Sequence, residues 1–306
     1  MIISASRRTD IPCFYTEWFI NRMKEGYALS QNPMNPAQIS RIPFDPELAD
    51  CIVFWTKDPH PMLDKLSYIS AKGYNYYFQF TLTPYGREME PNLRKKPEIL
   101  HTFQQLSKMI GPERVIWRYD PIILNEFYSM EYHKTNFARI CNRLEGRTRG
   151  CIISFVDLYR KMEKTVDFRT ASVNEMQELA LLLQQYAAQK GIIVKTCCEG
   201  LPGIPSSACI DKELIESICG YEITEKKDSG QRKYCNCVKA YDIGVYHTCK
   251  NGCRYCYANS NLALVRENRK KHDPNSPFLI GHAMPGDVIH EAEQRSWIDR
   301  QLKLEW

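Results

Sequence analysis

Three cysteines near the carboxyl end of the chain have the spacing of metal ligands. Cys249, Cys253 and Cys256 form the pattern C-x-x-x-C-x-x-C, in which Gly252 loosens the backbone and Tyr255 precedes the last cysteine. Thiolates this close along a chain can bind either an iron–sulfur cluster or zinc, so the spacing leaves both chemistries open. A closed zinc site needs a fourth ligand, for which the candidates are Cys235, Cys237 and His247.

The cysteine content as a whole also favours metal binding over disulfides. Nine of the thirteen cysteines lie between Cys197 and Cys256, the total is odd, and no export signal is recognisable. We therefore expect reduced thiols and a cytoplasmic protein. One interpretation is a second, auxiliary iron–sulfur cluster, with Cys198 facing away from it; the alternative is scattered thiols beside a single cluster. The auxiliary ligands would be Cys197, Cys209, Cys235 and Cys237. The expected core cysteines are Cys13, Cys51, Cys141, Cys151 and Cys219.

The elements that position these thiols follow a repeated βα pattern. Six short apolar runs predict parallel strands buried on both faces, and most of the segments between them have helical patterns that end at glycine. The clearest helix runs over 172–190, with Ser172 and Glu175 as a capping box and Gly191 after its end. The predicted strands are Ile2–Ala5, Cys51–Trp55, Tyr76–Leu82, Val115–Tyr119, Cys151–Val156 and Ile192–Thr196.

This alternation predicts an α/β fold, namely a full or partial (β/α) TIM-like barrel. Residues 1–220 would form the repeated part of the barrel. Residues 221–306 would form a cysteine-rich segment that completes the same domain, with a strand over 240–246 and helices over 261–271 and 291–302. The first strand is not followed by Gly-x-Gly-x-x-Gly, which weakens a dinucleotide-binding interpretation.

Polar residues follow the predicted strands, where barrel enzymes place their active sites. Arg7, Arg8 and Asp10 follow the first strand directly, and Arg118 lies at the end of the fourth; we predict catalytic roles for these four. Lys195 and Glu199 flank the end of the sixth strand and are candidates for cofactor binding. The fifth strand is followed by Asp157, Tyr159 and Arg160.

The overall composition excludes several classes of protein. The chain has 306 residues, of which 43% are hydrophobic and 25% charged, as is typical of a globular domain rather than a disordered chain. No apolar run reaches the roughly 18–20 residues that span a bilayer. The formal net charge of +5 is too small to indicate nucleic-acid binding.

The cysteine triplet, with an aromatic residue before its last cysteine, resembles the signature of the radical S-adenosylmethionine superfamily. The resemblance implies that Cys249, Cys253 and Cys256 hold three irons of a 4Fe–4S cluster, and that the fourth iron binds S-adenosylmethionine. Reductive cleavage of that cofactor would give a 5′-deoxyadenosyl radical that attacks an unknown substrate. The resemblance also implies a partial barrel, Tyr255 near the adenine, and an electron donor such as a flavodoxin or ferredoxin.

The position of the motif differs from that in most of the superfamily, where it follows the first strand. A circular order reconciles the two arrangements: the strand over 240–246 and the helix over 261–271 would come first, and Ile2–Ala5 second. The segments Ser4–Pro12 and Tyr255–Asn259 also resemble a family of unknown function with a cysteine cluster at its carboxyl end.

Two other functions compete with this enzyme. One is a protein with structural zinc that contacts nucleic acid through a basic face, of which Arg266, Arg269, Lys270 and Lys271 form the densest part. The other is an electron-transfer iron–sulfur protein without catalysis. Electron transfer does not require a large barrel with polar strand ends, which weakens this alternative.

Overall fold

The computed structural model describes residues 1–156, 169–228, 230–232, 234–259 and 261–299. The strands in these residues are β1 (Ile2–Ala5), β2 (Tyr27–Asn32), β3 (Asn35–Pro43), β4 (Cys51–Thr56), β5 (Tyr76–Thr81), β6 (Val115–Ile122), β7 (Gly150–Phe155), β8 (Ile193–Thr196), β9 (Tyr241–Asp242) and β10 (Val288–Glu291). The α-helices are α1 (Ile11–Phe14), α2 (Thr16–Glu25), α3 (Leu66–Ala71), α4 (Lys96–Ile110), α5 (Met130–Leu144), α6 (Val173–Ala188), α7 (Lys212–Cys219) and α8 (Leu262–Lys270). Asp157, Tyr159 and Arg160 lie outside the described residues.

A parallel sheet of seven strands forms the centre of the fold, in the order β8-β7-β6-β5-β4-β1-β9. All six strands predicted from apolar runs are present, each within three residues of its predicted ends. The register places Ile2 of β1 opposite Cys51 of β4, and Ile3 of β1 opposite Tyr241 of β9. The short strand that precedes the cysteine motif therefore lies beside β1, as the circular order predicts.

The α/β class is confirmed. The sheet is open in the described residues, so of the full or partial barrel predicted from the sequence the full, closed form is wrong. In the described residues β8 and β9 are the two edges of the sheet. The loop after β8 occupies its outer edge, because Thr196 accepts a backbone hydrogen bond from Ser207 (2.7 Å) and donates one to Pro205 (2.9 Å). The predicted strand over 240–246 shrinks to the two residues of β9, which provide little edge for closure.

The central strands could be predicted from the sequence because they are buried. The strands β4 and β5 are buried along nearly their whole length, with Phe54 and Phe78 stacked at 4.8 Å between ring centroids. Burying each such ring contributes about 1.5–3 kcal/mol. The helix α6 begins as predicted: the Ser172 hydroxyl accepts from the Glu175 amide (3.3 Å), and the Glu175 carboxylate accepts from the Ser172 amide (2.9 Å).

A second sheet of three strands, in the order β10-β3-β2, was not predicted. Its middle strand begins with four exposed residues, so it lacks the apolar pattern of the other strands. The helix predicted over 291–302 is wrong in its described part, since Val288–Glu291 pairs in parallel with β3 and residues 292–299 are irregular. Residues 300–302 lie outside the described residues. Among those described, no helix has the length and apolarity needed to cross a membrane.

Candidate functional site

A cavity of about 600 Å³ lies at the carboxyl ends of the central strands. Residues at or just after the ends of all seven strands contribute to its wall, because parallel strands end at the same edge of a sheet. The cysteine motif and the loops after β8 complete the wall. The carboxyl ends of the six strands predicted from the sequence therefore do meet at one place.

All three motif cysteines line this cavity. Burial raises the pKa of the Cys253 thiol to about 12, although the Lys57 ammonium acts in the opposite direction. Burial also raises the pKa of Cys249, and the charges of Asp10, Cys256 and Cys253 add to that rise. The three thiols are therefore close enough to act on one another electrostatically.

The backbone of the cysteine motif is held by neighbouring loops. The Arg254 amide donates to the Met89 carbonyl (3.0 Å), and the Asn92 side chain donates to the Lys250 carbonyl (2.8 Å). Gly252 has a φ of +67°, and a Cβ there would lie 2.9 Å from the Asn92 amide nitrogen. Only glycine satisfies both the left-handed backbone and this close approach.

Asp10 is a buried junction between three loops. Its carboxylate accepts from the backbone amides of Cys13 (3.1 Å) and Lys57 (2.8 Å), and from the side chain of Asn251 in the cysteine motif (3.2 Å). Burial raises the pKa of Asp10 to about 6, and these hydrogen bonds limit the rise. Asp10 lines the cavity, as the sequence predicted, and it also ties the motif to β1 and β4.

A hydrogen-bond network centred on Glu90, which the sequence did not predict, includes the Tyr255 hydroxyl. The buried Glu90 carboxylate accepts from Lys57 (2.8 Å), Thr83 (2.9 Å), Lys96 and the Tyr255 hydroxyl. Burial alone would raise the pKa of Glu90, but the two ammonium groups outweigh it and lower the pKa to about 2. The Glu90 carboxylate is thus the counter-charge of two ammonium groups. Burial acts to lower the pKa of both lysines. The attraction of Glu90 outweighs burial at Lys57, whose pKa is raised, but not at Lys96, whose pKa is lowered.

Arg7 and Arg8 both approach Asp242, the last residue of β9. The Asp242 carboxylate accepts from the Ser6 hydroxyl (2.5 Å) and from the backbone amides of Arg7 (3.1 Å) and Gly244 (3.0 Å). The Arg8 guanidinium donates to the Gly244 carbonyl (3.2 Å) and lies 3.8 Å from Asp242. Arg8 therefore joins the loops after β1 and β9. Both arginines line the cavity.

Arg118 is held in one orientation by three acceptors. Its guanidinium forms two hydrogen bonds with Asp120 (3.0 and 2.6 Å), one with the Gln79 side chain (3.2 Å) and one with the sulfur of Cys209 (2.9 Å). Hydrogen bonds to Cys209 from neighbouring thiols, together with this positive charge, lower its pKa despite burial. The residue predicted to be catalytic thus contacts a predicted auxiliary ligand.

Five thiols come together on the same wall, and we call them the five-thiol group: Cys197, Cys198, Cys209, Cys235 and Cys237. The sulfur of Cys197 lies 4.0 Å from that of Cys198 and 3.7 Å from that of Cys209. The expectation that Cys198 faces away is wrong. Its φ of +64° turns the chain at this residue, and its side chain joins the group and lines the cavity.

The remaining predicted residues lie away from the cavity wall. Lys195 points to Asp211, with 3.8 Å between the ammonium and the carboxylate. The Glu199 carboxylate accepts from the Phe155 amide (2.8 Å). Neither lines the cavity, although their roles in cofactor binding stay predictions.

The cysteines outside the cavity are buried or half-buried. No pair among the thirteen, all of which lie in described residues, forms a disulfide. Three of the expected core cysteines are fully buried, namely Cys51, Cys141 and Cys151. Cys13 and Cys219 are only half-buried, and Cys219 donates to the Asp50 carbonyl (3.2 Å).

The polar strand end Thr56–Asp58 is visible in the sequence, but no role was predicted for Lys57, and Glu90 and Asp242 were not predicted at all. Asp242 ends a strand, so the rule used for Arg7 would have found it. Glu90 lies in a loop without any such signal. In the part of the chain that the structure describes, no three His, Cys, Asp or Glu side chains are already arranged around a metal position.

The fold and the site together define an α/β protein with a thiol-rich cavity at the carboxyl ends of a parallel sheet. Residues 2–258 match the model of a family described as a domain of unknown function, DUF1848. The chain therefore belongs to that family, and the matched region includes both groups of cysteines. The comparison with curated proteins gives no match.

Proposed function

We propose that this protein is a radical S-adenosylmethionine enzyme in which Cys249, Cys253 and Cys256 hold a 4Fe–4S cluster. One observation carries the proposal: the C-x-x-x-C-x-x-C motif follows the strand beside β1, and its three thiols line a cavity at the strand ends. The donor set fits, since cysteine thiolates are the usual ligands of such clusters. When bound, the cluster supplies the electron that cleaves S-adenosylmethionine to a carbon radical.

The neighbouring charges suit a bound anionic centre. Lys57 acts electrostatically on Cys253, and its own charge is maintained by Glu90. Cations close to thiolates favour the deprotonated state that metal ligation requires. In this proposal Lys57 stabilises the ligand thiolate, and Glu90 keeps the ammonium oriented.

The rest of the wall offers groups for a cofactor and a substrate. Glu90 and Lys57 hold the Tyr255 hydroxyl, and the Tyr255 ring packs against Tyr85 at 5.7 Å between centroids. Tyr255 also lines the cavity, and in this proposal it lies near the adenine of the cofactor. The Arg7 guanidinium, a fork suited to carboxylates, lies 5.9 Å from the centre of the Trp55 ring. Rigid strand ends would hold a reactive carbon radical near one substrate hydrogen and exclude water.

Two contacts weigh against nucleic-acid binding by the basic helix α8. Arg269 packs against the rings of Phe14 (5.6 Å) and Tyr15 (5.5 Å), so its charge is used inside the fold. Lys270 forms a hydrogen bond of 2.7 Å with Glu267. These contacts reduce the basic surface on which the zinc-and-nucleic-acid alternative depends.

The test is anaerobic purification followed by iron, sulfide and zinc analysis and a turnover assay. Reduced protein supplied with S-adenosylmethionine should release 5′-deoxyadenosine, and Cys253→Ala should abolish the release. Cys219→Ala is the matched control, because Cys219 lies outside the cavity and should leave the release unchanged. Undiminished release by Cys253→Ala, or a colourless protein with stoichiometric zinc, would refute the proposal.

A further inference from the structure

The five-thiol group is arranged as a ring rather than as scattered thiols. The Cys197 sulfur contacts those of Cys198 (4.0 Å) and Cys209 (3.7 Å). The Cys237 side chain also interacts with those of Cys209 and Cys235, and the Cys235 side chain with that of Cys198. Every thiol of the group therefore neighbours two others, although they come from separate chain segments, with 28 positions between Cys209 and Cys237.

The sulfurs of this ring receive several N–H donors. The Cys237 sulfur accepts from the backbone amides of Cys209 (3.1 Å) and Ile210 (3.4 Å), and the Cys209 sulfur accepts from Arg118 (2.9 Å). A neutral thiol is a weak acceptor, whereas thiolate ligands of metals are oriented by such outer hydrogen bonds. The Arg118 guanidinium is itself fixed by two hydrogen bonds to Asp120.

Positive side chains close to the ring would stabilise its thiols in the deprotonated state. The guanidinium groups of Arg7, Arg118 and Arg232 act on the sulfurs of the ring, and all three side chains line the cavity. Asp120 and Asp242 already compensate part of this positive charge, through the ion pair with Arg118 and the attraction of Arg7. The same guanidinium groups would also stabilise thiolates that bind a metal.

We infer that the five-thiol group is a second metal site, separate from the cysteine motif, and that it binds an iron–sulfur cluster. Four thiolates suffice for such a cluster, and each ligating thiol releases its proton as its bond to iron forms. Structural zinc sites are closed, whereas these thiols line the wall of the cavity that the cysteine motif also lines. The site stands whether or not the proposed enzymatic function is correct.

The test compares three anaerobically prepared proteins by iron, sulfide and zinc content. The wild-type chain should carry about eight irons, and a ring variant with Cys198→Ser, Cys235→Ser and Cys237→Ser should carry about four. A motif variant with Cys249→Ala, Cys253→Ala and Cys256→Ala should also keep about four, because it leaves the ring intact. Cys219→Ser should keep the wild-type content.

Each outcome is decisive for one of the two sites. If the folded motif variant contains no iron, or the ring variant retains the full wild-type content, the second site is refuted. Loss of zinc instead of iron from the ring variant refutes the assignment of a cluster. Should the ring variant fail to fold, iron retained by the motif variant still supports the second site. A motif variant that keeps all its iron refutes the proposed function and not this inference.

Discussion

Replacing Glu90 by glutamine should destabilise the protein by removing the buried carboxylate that compensates two partly buried ammonium groups. In the wild type the Glu90 carboxylate lies 2.8 Å from the Lys57 ammonium and also forms an ion pair with Lys96. Glutamine keeps the size and one acceptor oxygen of Glu90, but it removes the negative charge from both pairs. The two lysine side chains are only partly exposed, 15% for Lys57 and 30% for Lys96, so solvent replaces the lost charge only in part. We therefore expect Glu90→Gln to lower the free energy of unfolding at neutral pH.

The size of the loss follows from the pKa of Glu90. The fold lowers it from 4.5 to about 2, because the attraction of Lys57 and Lys96 exceeds the effect of burial. This difference corresponds to about 3 kcal/mol at pH 7. Because the folded-state pKa is lowered, the contribution is complete above 4.5 and is lost as pH falls toward 2. Near pH 3.5 it should be about 2 kcal/mol.

Urea unfolding of wild type and Glu90→Gln, prepared with equal iron content and followed by tryptophan fluorescence, measures this difference. Glu88→Gln is the matched control, because Glu88 is exposed and should cost less than about 1 kcal/mol. The reasoning is refuted if Glu90→Gln costs no more than the control, or if its cost is the same near pH 3.5 as at pH 7.

Three further changes test other parts of the structure. Burial of His133 lowers its pKa from 6.5 to about 4. The free energy of unfolding of the wild type should therefore fall by up to about 3 kcal/mol as pH falls through this range. His133→Asn should remove that pH dependence, which urea midpoints measure. Gly244→Ala would place a Cβ 2.0 Å from a serine hydroxyl oxygen and should lower the melting temperature well below that of Gly150→Ala, whose nearest contact is 3.7 Å. Arg118→Lys loses the two-pronged bond to its aspartate and should cost several times more unfolding free energy than Arg41→Lys, whose pair is exposed. Equal losses in either matched pair would contradict the assigned contacts.

Local patterns account for the parts of the fold that the sequence predicted. The strands β1, β4 and β5 were recognisable because their residues are almost all buried, which requires continuous apolar sequence. The strands β3 and β10 were missed because the first four residues of β3 and all four of β10 are exposed, so neither strand has a continuous apolar pattern. Whether the sheet closes could not be predicted either, because closure depends on which segment pairs with the outer edge of β8.

The candidate site divides in the same way. The motif and the polar strand ends were found because each lies in one short segment. The hydrogen bonds of Glu90 join residues up to 165 positions apart, and the orientation of Cys198 depends on a positive φ. Neither property leaves a periodic trace in the sequence. Arg118 was correctly placed at the cavity, but its partner sulfur could not have been named.

By itself the sequence determined the α/β class, the strands of the central sheet and the cysteines that line its carboxyl edge, with the exception of Cys198. Hydrophobic periodicity and ligand spacing are properties of neighbouring residues, so they can be read along the chain. Only the tertiary structure decided that the sheet stays open, that five thiols form a ring, and that Glu90 serves two lysines. Those outcomes depend on which distant segments pack together, and burial energy selects among such packings only when the whole chain is folded.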